Sequence, residues 1–459
     1  MATPKDLVLA ALASRIDRTA ILTGNDIDAR YREDLAGKPG ASPELVFRPR
    51  TTLDMSAMLS ACNAAGLPLV VQGGRTGLSG GARVLAGEAV MSLERLTELS
   101  EVDTVSASIV AQAGVPLQLV QERADAAGLM FGVDIGARGT ATIGGNIATN
   151  AGGIRVLRYG SSRAQVLGLE AVLADGTVLS SLKGLAKDNS GYDLSQLLIA
   201  SEGTLGVVTR ACLRLHPKPV TQAAAFCALP SLDAALALLA MLRGRLGNLL
   251  SGFEVILNPL MEEMVSHLGL QAPLALTSPV YVLTDIQGMM PGLDEEAFTE
   301  ALSQALEDGM VEDVILSQSE REFDALWSLR EDCNTFLFGI EAMLSLDVSV
   351  PLPKMSAFVE AALAAQAKAD PEARSYIFGH LGDGNLHYTV KTDAYDVVTD
   401  AVFGCVAAVG GSISAEHGIG LDKKPWLHLT RSPDELSAMR RLKHALDPNG
   451  ILNRGRIFD

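Results

Sequence analysis

Two glycine-rich stretches constrain the fold of this chain more than any other feature of its sequence. Residues 73–81 follow an apolar run, residues 67–72, that is predicted as a strand, and they contain five glycines in nine positions. Glycine lets successive backbone N–H groups turn toward one ligand, so this loop predicts either an anion-binding nest or a tight surface turn. It has neither the ending of a Walker loop nor the spacing of a dinucleotide-binding GxGxxG motif.

Residues 134–153 form the second stretch, in which small residues occur almost throughout. An ordinary hydrophobic core does not contain such a run. A flexible linker would be polar along its whole length, and the interleaved Ile143, Ile147 and Ala148 argue against that alternative. We therefore expect this segment to lie closely along a large, flat ligand.

The composition indicates a folded globular protein with more than one core. The chain has 459 residues, which is more than a single hydrophobic core usually holds. A net charge of −17 disfavours binding to nucleic acid or to anionic membranes, so an anionic substrate would need a local basic pocket. The five cysteines are scattered and never form a CxxC pair, which argues against a disulfide framework and against a cysteine zinc site.

Neither a signal peptide nor a transmembrane segment is predicted. The first 17 residues lack a long apolar core and suit an amphipathic helix. The longest apolar run, residues 234–242, is too short to cross a bilayer. Because the cysteine pattern also favours a reducing compartment, we expect a cytoplasmic protein.

Changes in residue pattern divide the chain into four predicted segments. Residues 1–43 suit a helical segment, and residues 44–219 alternate short β-rich runs with glycine turns. The alternating prolines of residues 216–219 are typical of an extended linker and predict a domain boundary. Residues 220–420 alternate strands with helices, which indicates an open α+β layer, and residues 421–459 are predicted as a helix with a tail.

A cluster of histidines is the best candidate for a reactive site. His380 and His387 flank a glycine turn at residues 382–385, and Glu416 and His417 follow about thirty residues later. If the runs on both sides of the turn form a hairpin centred on it, His380 and His387 are cross-strand partners whose side chains share a face. Two imidazoles beside a carboxylate suit a catalytic divalent metal, and histidines hydrogen-bonded in a core are the alternative.

The order of these motifs resembles a known family. GGRTGLSGG (73–81), DIGARGTATIGGNIATNAGG (134–153), KDNSGYDL (187–194) and IASEGTLGVVT (199–209) are similar to the flavin-binding domain of the vanillyl-alcohol oxidase superfamily. With GHLGDGNLH (379–387) and SAEHGIG (414–420), the chain most resembles the FAD-linked D-2-hydroxyacid dehydrogenases, from about residue 44 to its end. The resemblance implies an α+β protein with a two-subdomain PCMH-type FAD-binding domain, an α/β cap domain that carries the substrate and metal sites, and a C-terminal helical segment that packs on the FAD domain.

The resemblance also implies a noncovalently bound FAD and a set of residues that hold it. The residues expected to bind the phosphates are Gly73, Gly74, Arg75, Thr76 and Gly77. Those expected along the ribityl chain and the isoalloxazine ring are Thr142, Gly145, Asn146, Asn150, Gly152 and Gly153. Glu202, Gly206 and Val207 are expected to surround the adenine end, and Asn453 is expected to reach the cofactor from the C-terminal tail.

For the histidine cluster, the resemblance implies a divalent metal bound by His380, His387 and Glu416. Zinc is the usual ion of the family, and manganese, cobalt or iron suit the same ligands. His417 is expected to remove the hydroxyl proton of the substrate while the α-hydrogen passes to the flavin as hydride, giving a 2-oxo acid. The expected electron acceptor is an electron-transferring flavoprotein or a quinone, and we expect a homodimer.

Four further positions concern the substrate, which His417 is also expected to contact. Arg330 is the candidate clamp for the substrate carboxylate, and the alternative is a surface arginine paired with Glu331 or Asp332. The chain departs from the hydroxyglutarate-specific members of the family at three other candidate substrate positions, which are Asn334, Ser345 and Thr389. Those members carry threonine, lysine and asparagine there, and losing the lysine removes a charge expected to bind a second carboxylate. D-lactate or another D-2-hydroxyacid is therefore possible.

Three other functions are compatible with parts of this pattern. A flavin oxidase would pass electrons to oxygen and form peroxide. A metal-dependent hydrolase would use the histidines and Glu416 without a flavin. A noncatalytic flavoprotein subunit would not need the histidine cluster, so the presence of that cluster argues against it.

Overall fold

The structure, a computed structural model, describes residues 2–458. In this range the helices are α1 (Pro4–Leu12), α2 (Thr52–Ala65), α3 (Leu117–Ala126), α4 (Ile143–Thr149), α5 (Val156–Tyr159), α6 (Ser162–Gln165), α7 (Leu194–Leu198), α8 (Leu232–Leu246), α9 (Asn258–Leu268), α10 (Leu293–Glu307), α11 (Glu320–Phe338), α12 (Met355–Ala369), α13 (Tyr395–Ala408) and α14 (Pro433–Leu446).

The strands of the same range are β1 (Ile21–Leu22), β2 (Val46–Phe47), β3 (Leu69–Gln72), β4 (Ala89–Ser92), β5 (Ser108–Gln112), β6 (Leu129–Met130), β7 (Val166–Val172), β8 (Val178–Ser180), β9 (Val207–Arg214), β10 (His216–Pro217), β11 (Thr221–Leu229), β12 (Leu250–Leu257), β13 (Val280–Gly288), β14 (Asp313–Leu316), β15 (Met343–Ser349), β16 (Arg374–Gly379) and β17 (Asn385–Lys391). The predicted α+β class is confirmed.

The chain folds into two compact units. Unit 1 contains the residues up to Gly152, Ser161–Lys218, and the residues from Glu416 onward. Unit 2 contains Gly153–Gly160 and Pro219–Ala415. The boundary between residues 218 and 219 falls inside the proline-rich segment at residues 216–219. The last one lies between residues 415 and 416, a few residues before the position at 420 and 421 that the sequence suggested.

Unit 1 contains two four-stranded sheets. The first has the order β1-β2-β4-β3, in which β2, β4 and β3 are parallel. The second has the order β5-β9-β7-β8 and is antiparallel, with β7 and β8 joined by a turn that contains Asp175 and Gly176. Between β2 and β3, α2 begins at a capping box of Thr51 and Asp54 and ends at Gly66 in the left-handed conformation.

The C-terminal tail completes the first sheet of unit 1. Leu452 forms a parallel bridge with Leu69 at the start of β3. Arg456 and Glu88 form an ion pair in which both side chains are fully buried. Because a buried charge needs a partner, this pair ties the tail to the segment before β4.

Unit 2 is built on one seven-stranded antiparallel sheet. Its order is β14-β11-β13-β12-β16-β17-β15. Helices α9 and α11 pack against one face through an apolar cluster that includes Phe226, Ile256, Leu283 and Phe378. Because side chains alternate along a strand, the residues that share this face can be read from the strand register.

In the part of the chain that the structure describes, no helix has both the length and the apolar character needed to cross a bilayer.

Candidate active site

The two glycine-rich stretches lie against each other in unit 1. A Cβ atom at Gly73 would lie 2.4 Å from Thr142 Oγ1, and one at Gly74 would lie 2.0 Å from the carbonyl oxygen of Thr140. Both distances are far shorter than a van der Waals contact, so only glycine allows this approach. Gly77 has no such contact, since its nearest atom would be Asp34 Oδ2 at 3.9 Å.

Buried polar atoms without hydrogen-bond partners mark the same place. Within residues 2–458, no hydrogen bond reaches Thr142 Oγ1, Asn146 Nδ2 or Ser79 Oγ. Thr142 precedes α4, but its hydroxyl does not cap that helix. Because leaving a buried polar group unpaired costs about 1–3 kcal/mol, these atoms indicate a ligand with hydrogen-bonding groups. The donors and acceptors fit the polar ribityl and diphosphate parts of FAD.

Unusual backbone conformations occur at four of the residues expected to bind FAD. Arg75, Asn150, Glu202 and Asn453 have φ angles of 57°, 55°, 50° and 42°, in the left-handed region that favours glycine. Such conformations persist where the surrounding structure enforces them, and they concentrate at functional sites. Their grouping here supports a functional role for this part of unit 1.

Some of the predicted cofactor residues make protein contacts that sequence reasoning did not foresee. Asn453 accepts a hydrogen bond from Val71 N at 2.8 Å and donates to the carbonyl oxygen of Glu202 at 2.5 Å. Asn150 Oδ1 accepts from Ser161 Oγ and from Arg163 N, each at 2.9 Å. The side chains of Asn453 and Asn150 therefore join backbone segments of unit 1.

The carboxylate of Glu202 supports the segment that carries His417. It accepts N–H groups from Ile419 at 2.7 Å and from Gly420 at 2.8 Å. Burial raises the pKa of Glu202, and these two N–H groups oppose the rise. Gly420 has a φ of 55°, and a Cβ there would lie 2.1 Å from the carbonyl oxygen of Ser79. The SAEHGIG motif thus needs its last glycine because it lies against the first glycine-rich loop.

The histidine hairpin forms in unit 2 as predicted, but its register differs from the prediction. Strands β16 and β17 pair around the glycine turn, and the cross-strand partner of His387 is Phe378. His380 lies just beyond the end of β16, before a single 3₁₀ turn. The two imidazoles nevertheless converge, with ring centroids 5.1 Å apart and planes at 84°. They meet because His380 follows Phe378 by two residues and so lies on the same face.

A buried carboxylate that sequence reasoning missed contacts both His380 and Arg330. Glu254, on β12, has a side chain only 1% exposed. Its Oε1 lies 2.8 Å from His380 Nδ1, and its Oε2 accepts from Arg330 Nε at 2.7 Å. Burial raises the pKa of Glu254, but His380 and Arg330 outweigh that effect and lower it to about 2. The available signal was a single acidic residue inside the apolar run of a predicted strand.

Arg330 is therefore a buried arginine and not a surface one. It lies on α11, its side chain is 6% exposed, and its guanidinium carbon is 4.5 Å from the centre of the Phe378 ring. The alternative of a surface pair with Glu331 or Asp332 does not describe this position. Because the bond to Glu254 uses Nε, a carboxylate ligand of Arg330 would be bound by its Nη groups.

His387 also has a buried carboxylate beside it. Asp347, its cross-strand neighbour on β15, lies with Oδ1 3.6 Å from His387 Nδ1. Asn385 Nδ2 donates to Asp347 at 2.8 Å, and Ala415 N donates to it at 3.1 Å. Burial lowers the pKa of His387, and the nearby His380 and Arg330 lower it further, although Asp347 opposes the effect. The lowered pKa favours the neutral form of His387, which is the form that binds metals.

The other candidate substrate residues differ in their exposure to solvent. Ser345 and Thr389 are cross-strand partners on β15 and β17, two residues from Asp347 and His387 respectively. Ser345 is exposed, whereas Thr389 is buried and donates its hydroxyl to the carbonyl oxygen of Tyr376 at 2.5 Å. Asn334 is exposed, one turn after Arg330 on α11.

Glu416 and His417 follow unit 2 directly in the chain. Ala415, the last residue of unit 2, is bonded to Asp347, and Glu416 is the first residue of the final segment of unit 1. Glu416 and His417 are therefore one and two residues along the chain from the hydrogen bond between Ala415 and Asp347. Ile419, two residues beyond His417, donates its N–H to Glu202 at 2.7 Å, so a second hydrogen bond holds the other side of the segment.

Comparisons with known proteins identify the family of this chain. The family model for the FAD binding domain matches residues 43–181, and the model for the C-terminal domain of FAD linked oxidases matches residues 218–457. The chain is 41% identical over 451 residues to a mitochondrial D-2-hydroxyglutarate dehydrogenase of Bos taurus, covering 97% of this chain and 82% of that protein. It is 40% identical to a D-2-hydroxyglutarate dehydrogenase of Xanthomonas citri pv. viticola, covering 94% and 92%.

The fold also matches solved structures at low identity. A crystal structure of p-cresol methylhydroxylase with bound substrate aligns with a TM-score of 0.78 and 15% identity, covering 99% of this chain and 96% of that one. From the two family models and the near-complete relatives, we conclude that the chain belongs to the family of FAD-linked oxidases that includes the D-2-hydroxyglutarate dehydrogenases, and that it is an FAD-dependent D-2-hydroxyacid dehydrogenase.

Proposed function

We propose that this dehydrogenase uses a divalent metal, bound by His380, His387 and Glu416, and His417 as the base that removes the substrate hydroxyl proton. The observation that carries the proposal is the convergence of two imidazoles, His380 buried and His387 13% exposed, each beside its own buried carboxylate. Metal-binding histidines commonly have a carboxylate at their other ring nitrogen, which sets the tautomer and the ring orientation.

The donor chemistry fits a divalent ion of the first transition row. Imidazole and carboxylate ligands suit zinc, and they also suit manganese, cobalt and iron. When bound, the metal would lower the pKa of the substrate hydroxyl, and FAD would accept the hydride from the α-carbon. His380 and His387 would orient the substrate, Arg330 would bind its carboxylate, and His417 would hold the proton that leaves the hydroxyl.

The substrate is proposed to be a D-2-hydroxyacid whose tail does not depend on a lysine. Both relatives described above are named D-2-hydroxyglutarate dehydrogenases. In this chain, however, Ser345 occupies the position where a lysine would bind a second carboxylate, and Thr389 directs its hydroxyl to a backbone carbonyl. D-lactate and D-2-hydroxyglutarate are therefore the two substrates to compare. An electron-transferring flavoprotein or a quinone is the proposed acceptor, and cytoplasmic location and homodimer formation stay predictions.

A substrate panel tests the proposal. The purified, FAD-loaded protein would be assayed with D-lactate, D-2-hydroxyglutarate and their L isomers, using an artificial electron acceptor, before and after treatment with a chelator. We expect D-selective activity that falls on chelation and returns when Zn²⁺ or Mn²⁺ is added. Activity that is indifferent to chelation would contradict the metal. Stoichiometric peroxide formation in air without an acceptor would favour an oxidase.

The His417→Ala variant tests the base. We expect flavin reduction by the substrate to slow by about 10²–10⁴-fold, the usual contribution of a positioned base, while FAD stays bound. His444→Ala, which changes an exposed histidine of α14, is the matched control and should reduce its flavin at the wild-type rate. Reduction of His417→Ala at the control rate would show that His417 is not the base.

A further inference from the structure

Glu254 makes two bonds that link the proposed metal and substrate positions in unit 2. One carboxylate oxygen contacts His380 Nδ1 at 2.8 Å, and the other accepts from Arg330 Nε at 2.7 Å. The three side chains come from three different elements, namely β12, the end of β16 and α11. The pairing of Val255 with Gly379 sets the first contact, because it places Glu254 beside His380 across neighbouring strands.

The bond to His380 determines which ring nitrogen of that histidine is available for a metal. An ionised carboxylate can only accept hydrogen bonds, so Nδ1 must be the donor in the contact. In neutral imidazole the lone pair then lies on Nε2, on the far side of the ring from Glu254. Glu254 therefore presents Nε2 of His380 as the ligand atom.

The bond to Arg330 fixes the plane of the guanidinium group. Nε is held by Glu254, and the guanidinium lies over the ring of Phe378 at 4.5 Å. A planar group fixed at one nitrogen and across one face has little rotational freedom left. Its two Nη groups consequently point in one direction, as bidentate binding of a carboxylate requires.

We propose that Glu254 is a positioning residue that fixes the metal ligand His380 and the carboxylate clamp Arg330 relative to each other. The inference rests on the proposed function, because it takes His380 as a metal ligand and Arg330 as the substrate clamp. It adds that one buried carboxylate couples the two. Altering Glu254 should therefore change metal affinity and substrate affinity together.

The variant Glu254→Gln distinguishes a positioning role of Glu254 from a purely structural contribution to stability. Glutamine keeps the size of the side chain but offers only one acceptor oxygen, so either His380 or Arg330 must face an N–H group. We expect the affinity of the FAD-loaded protein for Zn²⁺, measured by competition with a chromophoric chelator, to fall about 10–100-fold, the usual effect of losing such a partner. The KM for the D-2-hydroxyacid should rise as well.

Glu263→Gln is the matched control. Glu263 also bonds to an arginine and to a residue of β16, accepting from Arg374 at 3.2 Å and from Tyr376 Oη at 2.8 Å, but it is partly exposed. We expect its Zn²⁺ affinity and KM to match those of the wild type. Glu254→Gln with control-level Zn²⁺ affinity and KM would overturn the proposal.

The imidazole tautomer of His380 provides a readout that needs neither metal nor activity. In wild-type protein labelled with ¹⁵N-histidine, the long-range ¹H–¹⁵N spectrum should show His380 protonated at Nδ1. Protonation at Nε2 alone, with a bare Nδ1, would overturn the proposal even if Glu254→Gln failed to fold. Absence of Zn²⁺ binding by the wild type, with the Nδ1 tautomer present, would instead contradict the metal in the proposed function and leave the Glu254 contact supported.

Discussion

At the scale of single residues, the most informative atoms are those that the folded chain leaves without a partner. Thr142 Oγ1 is buried and accepts or donates no hydrogen bond within residues 2–458, although it lies so close to Gly73 that a Cβ there would be only 2.4 Å away. Thr209, elsewhere in unit 1, is also buried but donates to the carbonyl oxygen of Glu170. The two threonines therefore have similar burial and different hydrogen bonding.

This contrast predicts opposite effects on the apoprotein. Thr142→Val should leave the free energy of unfolding of the FAD-free protein unchanged or slightly higher, because it removes an unpaired buried hydroxyl, whereas FAD binding should weaken by about tenfold through loss of one hydrogen bond. Thr209→Val, the control, should lower the free energy of unfolding by about 1–2 kcal/mol. Urea denaturation and flavin titration measure these quantities. Equal destabilisation of the apoprotein by both changes would contradict the interpretation.

At the scale of secondary-structure elements, a short segment between two parts of unit 1 is bonded to the sheet of unit 2. The segment Gly153–Gly160, which includes α5, belongs to unit 2, whereas the residues before and after it belong to unit 1. Arg155 forms a buried ion pair with Asp285 of β13, donates to Ser251 Oγ at 3.1 Å, and lies 4.9 Å from the Trp327 ring of α11. Tyr159 Oη adds a bond to Gln287 Oε1 at 3.0 Å.

The buried pair makes a clear energetic prediction. Arg155→Ala should destabilise unit 2 by about 3–5 kcal/mol, because it would remove the cationic partner of the buried Asp285 carboxylate. The double change Arg155→Met with Asp285→Leu should cost less, since it leaves no unpaired charge. Arg374→Ala removes an exposed pair in the same unit and should cost at most about 1 kcal/mol.

Denaturation can be followed by Trp327 fluorescence in a Trp426→Phe background, because the chain has two tryptophans. If Arg155→Ala lowers the free energy of unfolding no more than Arg374→Ala does, the buried pair does not fix the segment Gly153–Gly160 to unit 2.

At the scale of the whole molecule, the two ends of the chain meet within unit 1. Asp422 accepts from Lys38 Nζ and from Arg83 Nη2, each at 2.9 Å, although more than three hundred residues separate it from either one. Burial raises the pKa of Asp422, but the bonds to Arg83 and Lys38 outweigh burial and lower it below its ordinary value of 3.8. The contact therefore stabilises the fold in a pH-dependent way.

The direction of that dependence follows from proton linkage. A carboxyl group whose pKa is lower in the folded state binds fewer protons there, so its stabilisation is complete above pH 3.8 and is lost as the pH falls below it. Asp422→Asn should lower stability at pH 7 by about 1–3 kcal/mol and should lose less further stability on acidification than the wild type. Asp26→Asn, at an exposed position of unit 1, should follow the wild-type curve. Parallel acid profiles for Asp422→Asn and the wild type would contradict the prediction.

Local signals in the sequence determined much of this protein. The bounds of α8 and α14 follow from local capping residues and apolar period, and the histidine hairpin follows from its glycine turn. Helix α11, which carries Arg330, and the membership of residues 153–160 in unit 2 were not predicted. Such features depend on packing between segments far apart in the sequence.

The partners of the site residues were decided only by the tertiary structure. Glu254 lies more than a hundred residues before His380, and Asp347 forty residues before His387, so no local spacing relates them. Strand pairing across the sheet of unit 2 brings each carboxylate to its imidazole, and burial makes each contact strong. The residue types of the site and the turns beside them can be identified from short stretches of the sequence. The ring nitrogen that His380 presents and the direction in which Arg330 points depend on long-range contacts, because only those contacts remove the carboxylates from water and hold them in place.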